Sequence, residues 1–256
     1  MQKVSLILAS FLRPQLLNLG LLSITKYITP FSLEIIVVND GIDDGTKEIC
    51  DSYRDRLDIK YAFTGQRNSQ EIQIRNPAKP LNVGIKQSTG EIIVLSCPEM
   101  YHIDDCLNKI SQPLFNKHKY LTTPRLLYFD NTNEFTSDIN NGHPADLKKC
   151  EVHDEASQMP FLMGIWKDEV INIGGYDEDF NDGYGGEDND LVDRLQLNGC
   201  SYHRVDTNVV HLYHGIRCDS YAHWENPKWI YSHELITAKK GTIIRNVGKE
   251  WGIINE

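Results

Sequence analysis

Two adjacent carboxylates in the sequence have the type and position to act on a substrate hydroxyl. Glu187 and Asp188 follow directly on the glycine pair Gly185-Gly186, and an amphipathic helical pattern begins with them. The pattern predicts a helix N-terminus, where the partial positive charge of the helix favours the ionised carboxylate. A carboxylate held at the edge of a pocket can accept a hydroxyl proton. The alternative is an acidic first turn that only caps the helix.

The segment around this pair is strongly acidic. From Glu178 to Asp193 the chain carries seven carboxylates, and the next cationic side chain is Arg194. These like charges would repel one another in a solvated loop without any compensating gain. We therefore expect cationic or proton-donating groups to meet this segment in the folded protein.

Residues 174–195 carry a long ordered motif. They read Gly-Gly-Tyr-Asp-Glu-Asp-Phe, a short spacer, and then Gly-Gly-Glu-Asp-Asn-Asp-Leu-Val-Asp-Arg-Leu. This motif resembles the acceptor side of glycosyltransferases with the A-type (GT-A) fold, and it is similar to that of galactosyl- and N-acetylgalactosaminyl-transferases and bacterial capsule-polymerising enzymes. The resemblance implies that Asp188 is the catalytic base and that Glu187 hydrogen-bonds sugar hydroxyls. It also implies that Tyr184 and Gly186, together with Glu187, bind the acceptor.

The first half of the chain alternates strand and helix patterns. Strand patterns cover residues 4–9, 33–40, 59–63 and 91–95, and helix patterns cover 14–24, 46–56 and 81–87. This order predicts an α/β fold with a doubly wound, mostly parallel central sheet and helices on both faces, which is the GT-A fold of the resemblance. Ligands bind at the carboxyl ends of such strands, so the loops after the first, second and fourth strands should converge on one site.

Residues near these strand ends match positions that contact the nucleotide-sugar in the related enzymes. Asp40 ends the second strand and resembles the acid that binds uracil or ribose, although an Asp-Gly turn alone is more often only a turn. Ala9, Ser10 and Arg13 occupy the first nucleotide-contacting loop, in which Leu12 stands where Asn is usual. The main-chain contacts of this loop survive that change, whereas a side-chain contact at position 12 does not.

Further donor-site residues are implied by the same resemblance. Arg75 or Lys79 could neutralise the diphosphate, and the alternative is that both are solvated charges. The remaining implied nucleotide-sugar contacts are Asn82, Cys97, Glu99 and Gly164.

The residues after the fourth strand depart from the related enzymes. Where those carry Asp-x-Asp to hold a divalent metal on the diphosphate, this chain reads Ser-Cys-Pro-Glu-Met-Tyr-His from position 96. Glu99 is the one matching acid, His211 matches a late metal-binding histidine, and His214 is a further candidate. Strand alternation predicts that His211 and Tyr213 share one face. One carboxylate with imidazole nitrogen suits Mn²⁺ or Mg²⁺, and the nitrogen favours Mn²⁺, although a lone strand-end histidine is usually structural.

We expect one catalytic domain over residues 1–220, with a nucleotide-sugar-binding half at about 1–105 and an acceptor-binding half at about 106–220. Residues 221–256 form a C-terminal extension packed on the core. The mixed polar residues from 120 to 151 predict a surface insertion. The tail contains aromatic and basic residues that either pack on the core or contact an acceptor, namely Trp224, Trp229, Trp251, Lys239, Lys240 and Arg245.

Composition limits the partners and the compartment. The 26 Lys and Arg against 36 Asp and Glu give a net charge of -10, which argues against a broad nonspecific grip on nucleic acid. Six cysteines without a CxxC pair indicate free thiols in a reducing cytoplasm. The apolar run at 4–9 is too short for a membrane span, so we expect no integral membrane segment and a cytoplasmic protein, at most peripheral to a membrane.

The resemblance implies an inverting glycosyltransferase that moves a sugar from a nucleotide-diphosphate donor, UDP-linked, to a hydroxyl acceptor, with metal-assisted departure of the diphosphate. A glycan, a lipid-linked sugar, a protein or a modified nucleobase would leave similar marks as acceptor, and the oligomeric state is not indicated. One alternative is a nucleotide-sugar-binding protein that has lost catalysis, because Asp-x-Asp is missing. A sugar nucleotidyltransferase is disfavoured because residues 9–14 contain no glycine.

Overall fold

The computed structural model describes residues 2–67, 75–129, 132–152, 161–215 and 225–254, leaving aside the side chains of 127–129 and 152. Its strands are β1 (Lys3–Ser10), β2 (Ser32–Asn39), β3 (Ile59–Phe63), β4 (Ile92–Ser96), β5 (Met100–His102), β6 (Tyr120–Phe129), β7 (Glu151–Val152), β8 (Leu162–Trp166) and β9 (Ser201–His211). Its helices are α1 (Pro14–Ile24), α2 (Thr46–Asp51), α3 (Ala78–Gln87), α4 (Cys106–Ser111), α5 (Glu134–Asn140), α6 (Lys167–Asn172), α7 (Glu187–Leu197) and α8 (Pro227–Ala238).

The strands form one sheet in the order β3-β2-β1-β4-β8-β6-β9-β5, with β7 beside β6. β1 pairs in parallel with β2 and β4, β2 with β3, and β6 with β9. β8 runs antiparallel to β4 and β6, and β5 antiparallel to β9. This topology confirms the predicted α/β class with a mostly parallel sheet. Among the described helices, none is both long and apolar enough to cross a membrane.

Both faces of the sheet are covered, as the continuous apolar strands predict. Successive side chains of a strand point to opposite faces, so Val4, Leu6 and Leu8 of β1 enter one core while Ile7 and Ala9 enter the other. Helices α1 and α4 cover the first face, and α3 and α7 cover the second. β1 is therefore packed on both faces, and the loop at its carboxyl end starts from a rigid strand.

The predicted surface insertion from residue 120 was wrong for its first part. Residues 120–129 form β6 inside the sheet, where Leu121 and Thr122 are fully buried. Thr122 tolerates burial because its hydroxyl donates to the main-chain oxygen of Ile110 at 2.9 Å. β6 pairs with β9, which is distant in the chain, so no local sequence pattern predicts this strand. Farther on, residues 140–148 are largely exposed, as predicted.

A buried ion-pair network meets the acidic segment, as we expected. Arg194 is 1% exposed, and its Nε donates to Asp190 Oδ2 at 2.7 Å. Arg245 approaches from the other side and donates from Nη2 to Asp190 Oδ1 at 2.6 Å. Its Nε also lies 3.1 Å from Asp177 Oδ2. Because these four side chains are all buried, the network stabilises the fold only while each charge keeps its partner.

The C-terminal tail supplies much of the compensating charge. Lys239 Nζ lies 2.5 Å from Asp177 Oδ2 and 2.6 Å from Asp179 Oδ2. Trp251 packs on Gly175 so closely that a Cβ at that glycine would come within 2.6 Å of the indole ring. The tail therefore acts as part of the core beneath the acidic segment.

The aromatic and basic residues of the tail differ in whether they pack on the core. Arg245 and Trp251 pack on the core, while Lys240 stays exposed. Trp229 is half-buried on α8, and Trp224 lies outside the described residues. Helix α2 ends at Asp51, earlier than the predicted 56, because the chain continues there in turns.

The network predicts a large effect of removing one charge. Arg245→Met should lower the free energy of unfolding by about 3–5 kcal/mol, because Asp177 and Asp190 each lose one of their two cationic partners while they remain buried. Lys240→Met removes an exposed lysine from the same tail and should change it by less than about 0.5 kcal/mol. Urea denaturation of both variants measures the difference, and equal stabilities would contradict the structural role of the network.

Candidate active site

The loops after β1, β2 and β4 meet at one edge of the sheet, as predicted. The main-chain nitrogen of Leu12 donates to Asp44 Oδ2 at 2.6 Å, which ties the β1 loop to the β2 loop. Arg13 forms an ion pair with Glu99, which ties the β1 loop to the β4 loop. Leu12 has a φ of 52°, a conformation that Asn adopts more readily than Leu, which accounts for the usual Asn at this position in the related enzymes.

Asp40 holds cationic groups at this edge. Its buried carboxylate accepts hydrogen bonds from Thr64 Oγ1 at 2.9 Å and Arg67 Nε at 2.8 Å, and Arg75 Nη1 lies 2.9 Å from its Oδ2. Burial alone raises the pKa of Asp40, but Arg75 and Arg67 outweigh it and hold the pKa below the ordinary value. Asp40 therefore holds Thr64, Arg67 and Arg75 together, and its contact with a uracil or ribose stays a prediction.

Arg75 is the more buried of the two arginines that contact Asp40. It lies over the ring of Phe11 at 4.8 Å, and its Nε has no hydrogen-bond partner among the described residues. An arginine remains a cation even when burial lowers its pKa, as it does here. Lys79 is half-buried in the first turn of α3 and makes no ion pair with a described residue. Both side chains are available for an anionic ligand such as a diphosphate.

Metal-ligand groups converge on Glu99, which is only 4% exposed. His211 Nε2 and His214 Nε2 lie 3.7 Å and 4.0 Å from Glu99 Oε1. Ligand atoms of Cys97, Glu99 and His211 all lie within 4.8 Å of one another. Tyr213 is 37% exposed after the end of β9, so it does not share the buried position of His211 as the alternation predicted.

This cluster fits a divalent cation. Glu99 Oε2 is buried without a hydrogen-bond partner among the described residues, as a free ligand oxygen would be. Burial lowers the pKa of His211 to about 4, so its imidazole is neutral at pH 7 and able to ligate a metal. His214 Nδ1 lies 2.8 Å from the Gly215 oxygen and 3.3 Å from Arg13 Nη2, and its Nε2 faces Glu99. Arg13 is the competing cation at the same carboxylate.

The state of Glu99 and Cys97 also follows from this geometry. Burial raises the pKa of Glu99, but Arg13 and His211 outweigh it and lower the pKa to about 2. Burial raises the pKa of the Cys97 thiol well above its usual value, and Glu99 and Asp188 raise it further. Cys97 is therefore a neutral thiol whose pKa is raised both by the carboxylate of the metal cluster and by that of Asp188.

Glu187 and Asp188 begin α7, as predicted. Glu187 is buried and accepts a hydrogen bond from Asn76 Nδ2 at 2.5 Å, while Asp188 is half-buried and accepts one from Tyr176 Oη at 3.3 Å. Burial raises the pKa of both carboxyls, and Glu187 raises that of Asp188 further, against the lowering effect of the two hydrogen bonds. Asp188 thus binds protons more strongly than an ordinary aspartate, as a general base at neutral pH should.

The loop before these carboxylates is held by α8. Gly186 has a φ of 87° at the start of α7, a conformation that favours glycine, and a Cβ there would meet Ile236 at 2.8 Å. The main-chain nitrogen of Tyr184 lies 2.9 Å from Ser232 Oγ and 3.1 Å from the Lys228 oxygen. Helix α8, which is not part of the motif, therefore fixes the loop that bears Tyr184 and Gly186.

Three residues of the implied donor contacts also have partners inside the protein, and their contact with the donor stays a prediction. Ser10 is buried at the end of β1 with its hydroxyl 3.2 Å from Thr46 Oγ1, one residue after Ala9. Asn82 donates to the Tyr176 oxygen at 2.9 Å and so shapes the acidic motif. Gly164 lies inside β8, where a Cβ would approach Thr122 Oγ1 to 2.6 Å, so it is a packing position.

Three residues of the site were missed by the sequence analysis. Asn76 supports Glu187, Tyr176 supports Asp188, and Arg67 accompanies Arg75 on Asp40. Asn76 lies in a polar stretch without periodicity, and Tyr176 was visible only as part of the motif. Their roles depend on contacts between distant segments, for which a single sequence carries no signal.

Two family profiles match the chain that carries this geometry. Glycosyl transferase family 2 matches residues 5–168, and the profile described as the N-terminal domain of galactosyltransferase matches residues 147–215. The fold and the matches define a glycosyltransferase with the GT-A fold, which confirms the expected class. The chain belongs to glycosyl transferase family 2, since that profile covers more than half of its length.

Curated relatives are longer proteins. Chondroitin synthase of Pasteurella multocida (strain Pm70) is 22% identical over 241 residues, which cover 81% of this chain and 24% of the relative. Poly(ribitol-phosphate) beta-N-acetylglucosaminyltransferase TarS of Staphylococcus aureus (strain Mu50 / ATCC 700699) is 30% identical over 110 residues, or 43% of this chain and 17% of TarS. The chain thus spans a quarter or less of the length of these relatives.

Solved structures share the fold. S. aureus TarS 1-349 in complex with UDP-GlcNAc has a TM-score of 0.59 at 16% identity and covers 93% of this chain and 66% of its own. Mannosyltransferase PcManGT from Pyrobaculum calidifontis in complex with GDP-Man and Mn²⁺ has a TM-score of 0.56 at 15% identity, over 86% of this chain and 59% of its own. At such identities the likeness establishes the fold.

The raised pKa of Asp188 predicts a stability change. A carboxyl whose pKa is raised on folding stabilises the folded state while protonated, and this contribution is lost as pH rises through the raised pKa. Asp188→Asn should therefore be more stable than the parent at pH 7, and the gain should vanish below the ordinary pKa of 3.8. Thermal unfolding against pH tests this, with Asp193→Asn, an exposed carboxylate on the same helix, as the control. A less stable Asp188→Asn at pH 7 would contradict the assignment.

Proposed function

We propose that this chain is an inverting glycosyltransferase that moves a sugar from a UDP-linked donor to a hydroxyl acceptor, with Mn²⁺ or Mg²⁺ on the diphosphate. The observation that carries the proposal is that two different charge environments both act on Cys97. One contains Glu99 with its histidines and the guanidinium group of Arg13, and the other contains Asp188 with its raised pKa. A transferase needs both, because one must stabilise the negative charge of the leaving diphosphate and the other must take up the proton of the acceptor.

Asp188 serves as the base in this proposal. Glu187 accepts a hydrogen bond from Asn76 and so keeps the groups of the site in position. Asp188 removes the acceptor proton as the hydroxyl oxygen attacks the anomeric carbon. Attack comes from the face opposite the diphosphate, so the configuration inverts. Tyr176 orients the Asp188 carboxylate through its hydroxyl.

Arg75, Arg67 and Lys79 would receive the diphosphate, and Asp40 keeps the two guanidinium groups in place. A divalent cation held by Glu99 and His211, with His214 as a further ligand, would supply positive charge to the leaving diphosphate. The UDP-GlcNAc in the TarS structure and the Mn²⁺ in that of PcManGT support this choice of donor and ion by likeness of fold.

We propose that catalysis requires both halves of a single domain at 1–220, and the tail as well. Asn76 from the donor-binding half at about 1–105 binds Glu187 from the acceptor-binding half at about 106–220. The tail at 221–256 supplies Arg245 to the acidic segment. We also propose a cytoplasmic location, supported by the free thiols of all five cysteines in the described ranges.

The main alternative is a nucleotide-sugar-binding protein without turnover. It is motivated by the missing second acid of the metal motif, which leaves Glu99 alone. A turnover assay separates the two functions, because a binding protein would hold the donor without consuming it. The nucleotidyltransferase alternative would instead join a nucleoside triphosphate to a sugar 1-phosphate and release pyrophosphate.

The first test of the donor site is calorimetric titration with UDP-, GDP- and TDP-sugars, each with Mn²⁺ and again with chelator. We expect one UDP-sugar to bind tightly with Mn²⁺ and more weakly with chelator. Glu99→Gln should weaken the Mn²⁺-dependent binding by about tenfold or more, because it removes a ligand charge. Glu91→Gln, an exposed glutamate just before β4, is the matched control. Binding that ignores chelator in the parent would remove the metal from the proposal.

The base assignment predicts a pH profile. The transfer rate should fall as pH drops below the raised pKa of Asp188, because only the ionised carboxylate accepts a proton. Tyr176→Phe removes a hydrogen bond that lowers this pKa, so its acidic limb should lie at higher pH. Asp188→Asn should abolish transfer and retain donor binding. An acidic limb that does not move in Tyr176→Phe, or full activity in Asp188→Asn, would refute the assignment.

A further inference from the structure

Arg13, directly before helix α1, contacts the metal-ligand cluster with its guanidinium group. Its Nη1 donates to Glu99 Oε1, and its Nη2 lies 3.3 Å from His214 Nδ1. Its Nε is buried without a hydrogen-bond partner among the described residues. The protein therefore uses only part of this guanidinium group, which leaves a donor for a further acceptor.

Glu99 needs a counter-charge in every state of the protein, because its side chain is almost fully buried. Within the ranges that the structure describes, Arg13 is the one arginine or lysine that forms an ion pair with it. The metal-free protein therefore relies on Arg13 to neutralise this carboxylate. A divalent cation on Glu99 would take over the same task, and the ion pair with Arg13 would then no longer be needed.

Arg13 and the imidazole groups meet the same oxygen of Glu99. His211 Nε2 and His214 Nε2 lie 3.7 Å and 4.0 Å from Oε1, the atom to which Arg13 donates. A cation that is ligated by Glu99 and His211 therefore lies close to the guanidinium group. Like charges repel strongly at such distances where water is scarce. Binding of a metal ion therefore displaces Arg13 from Glu99.

The neighbouring arginines decide where Arg13 can go. Burial lowers the pKa of Arg75, and the positive charge of Arg13 lowers it further, so the two guanidinium groups are close together. Asp40, the carboxylate on that side, already binds Arg67 and Arg75. A displaced Arg13 therefore adds to an excess of positive charge unless an anion enters with it. A diphosphate is such an anion, and its oxygens match the planar fork of a guanidinium group.

Building on the proposed function, we propose that Arg13 is an exchangeable counter-ion. It neutralises Glu99 in the free protein, gives up that carboxylate to the divalent cation, and then binds the diphosphate of the nucleotide. The cation alone binds weakly, because it must displace Arg13 into a region of like charge. The nucleotide removes this cost, so cation and nucleotide each raise the affinity for the other by the same factor.

The test measures Mn²⁺ affinity with and without UDP, by electron paramagnetic resonance of the free ion. We expect Arg13→Met to bind Mn²⁺ alone about tenfold more tightly than the parent, because the competing guanidinium group is gone, and UDP to raise this affinity less than it does in the parent. Arg13→Gln should behave in the same way, and it keeps a polar group beside Glu99 in case Arg13→Met does not fold. Arg13→Lys keeps the charge and should retain the weak binding of Mn²⁺ alone.

Arg54→Met is the matched control. Arg54 forms an exposed ion pair with Asp51 at 2.7 Å, and it contacts Ile59 at the start of β3, at the opposite edge of the sheet from Glu99. This variant removes one positive charge away from the cluster, so its Mn²⁺ affinity should match that of the parent with and without UDP.

The sign of the change separates the exchange from a merely structural ion pair, since loss of a structural partner would loosen the cluster and weaken Mn²⁺ binding. Neutral variants of Arg13 that bind Mn²⁺ alone no more tightly than the parent overturn the exchange and leave the proposed function standing. So does an equal enhancement by UDP in the parent and in these variants. A parent that binds no Mn²⁺, with or without UDP, contradicts the metal of the proposed function and the exchange with it.

Discussion

The site depends on a complete set of partners for charges that are buried. Asp177, Asp190, Arg194 and Arg245 are all removed from water, and such charges are costly unless every one is paired. Arg194 comes from α7 and Arg245 from the tail, so the turn that precedes α7 and the end of the chain must fold together. These ion pairs therefore fix the direction of α7 and, with it, the positions of Glu187 and Asp188.

The rest of the site separates charges of opposite sign. At the ends of β1, β2 and β4 guanidinium groups gather around Asp40 and Glu99, whereas at the start of α7 burial and mutual repulsion favour protonated carboxyls. The pKa of the neutral Cys97 thiol is raised by carboxylates of both groups. Asn76 follows Arg75 in the chain and donates a hydrogen bond to Glu187, so it links the two charge environments. Their arrangement is therefore a feature of the fold and needs no ligand to establish it.

The sequence predicted the alternating strands and helices of the first half, the helix at Glu187, and the need for cations beside the acidic segment. It could not predict that Arg245 would supply one of them, because that contact joins segments far apart in the chain. β6 was missed for the same reason, since its partner β9 is remote and its residues 120–129 are mixed in character. Motif resemblance also gave no sign that Asn82 bonds the main chain at Tyr176 or that Gly164 packs against Thr122.

The late position of Arg245 has a consequence for synthesis. Translation delivers the chain from its N-terminus, so the sheet from β1 to β4 can form on the ribosome long before residue 245 emerges. Until then Asp190 has Arg194 alone as its partner, Asp177 lacks Arg245, and the turn before Asp188 is left without this anchor. A nascent chain can therefore form the strand ends that bear Asp40 and Glu99 before the helix that begins with Glu187 and Asp188 is anchored, so the two sides of the site mature at different times.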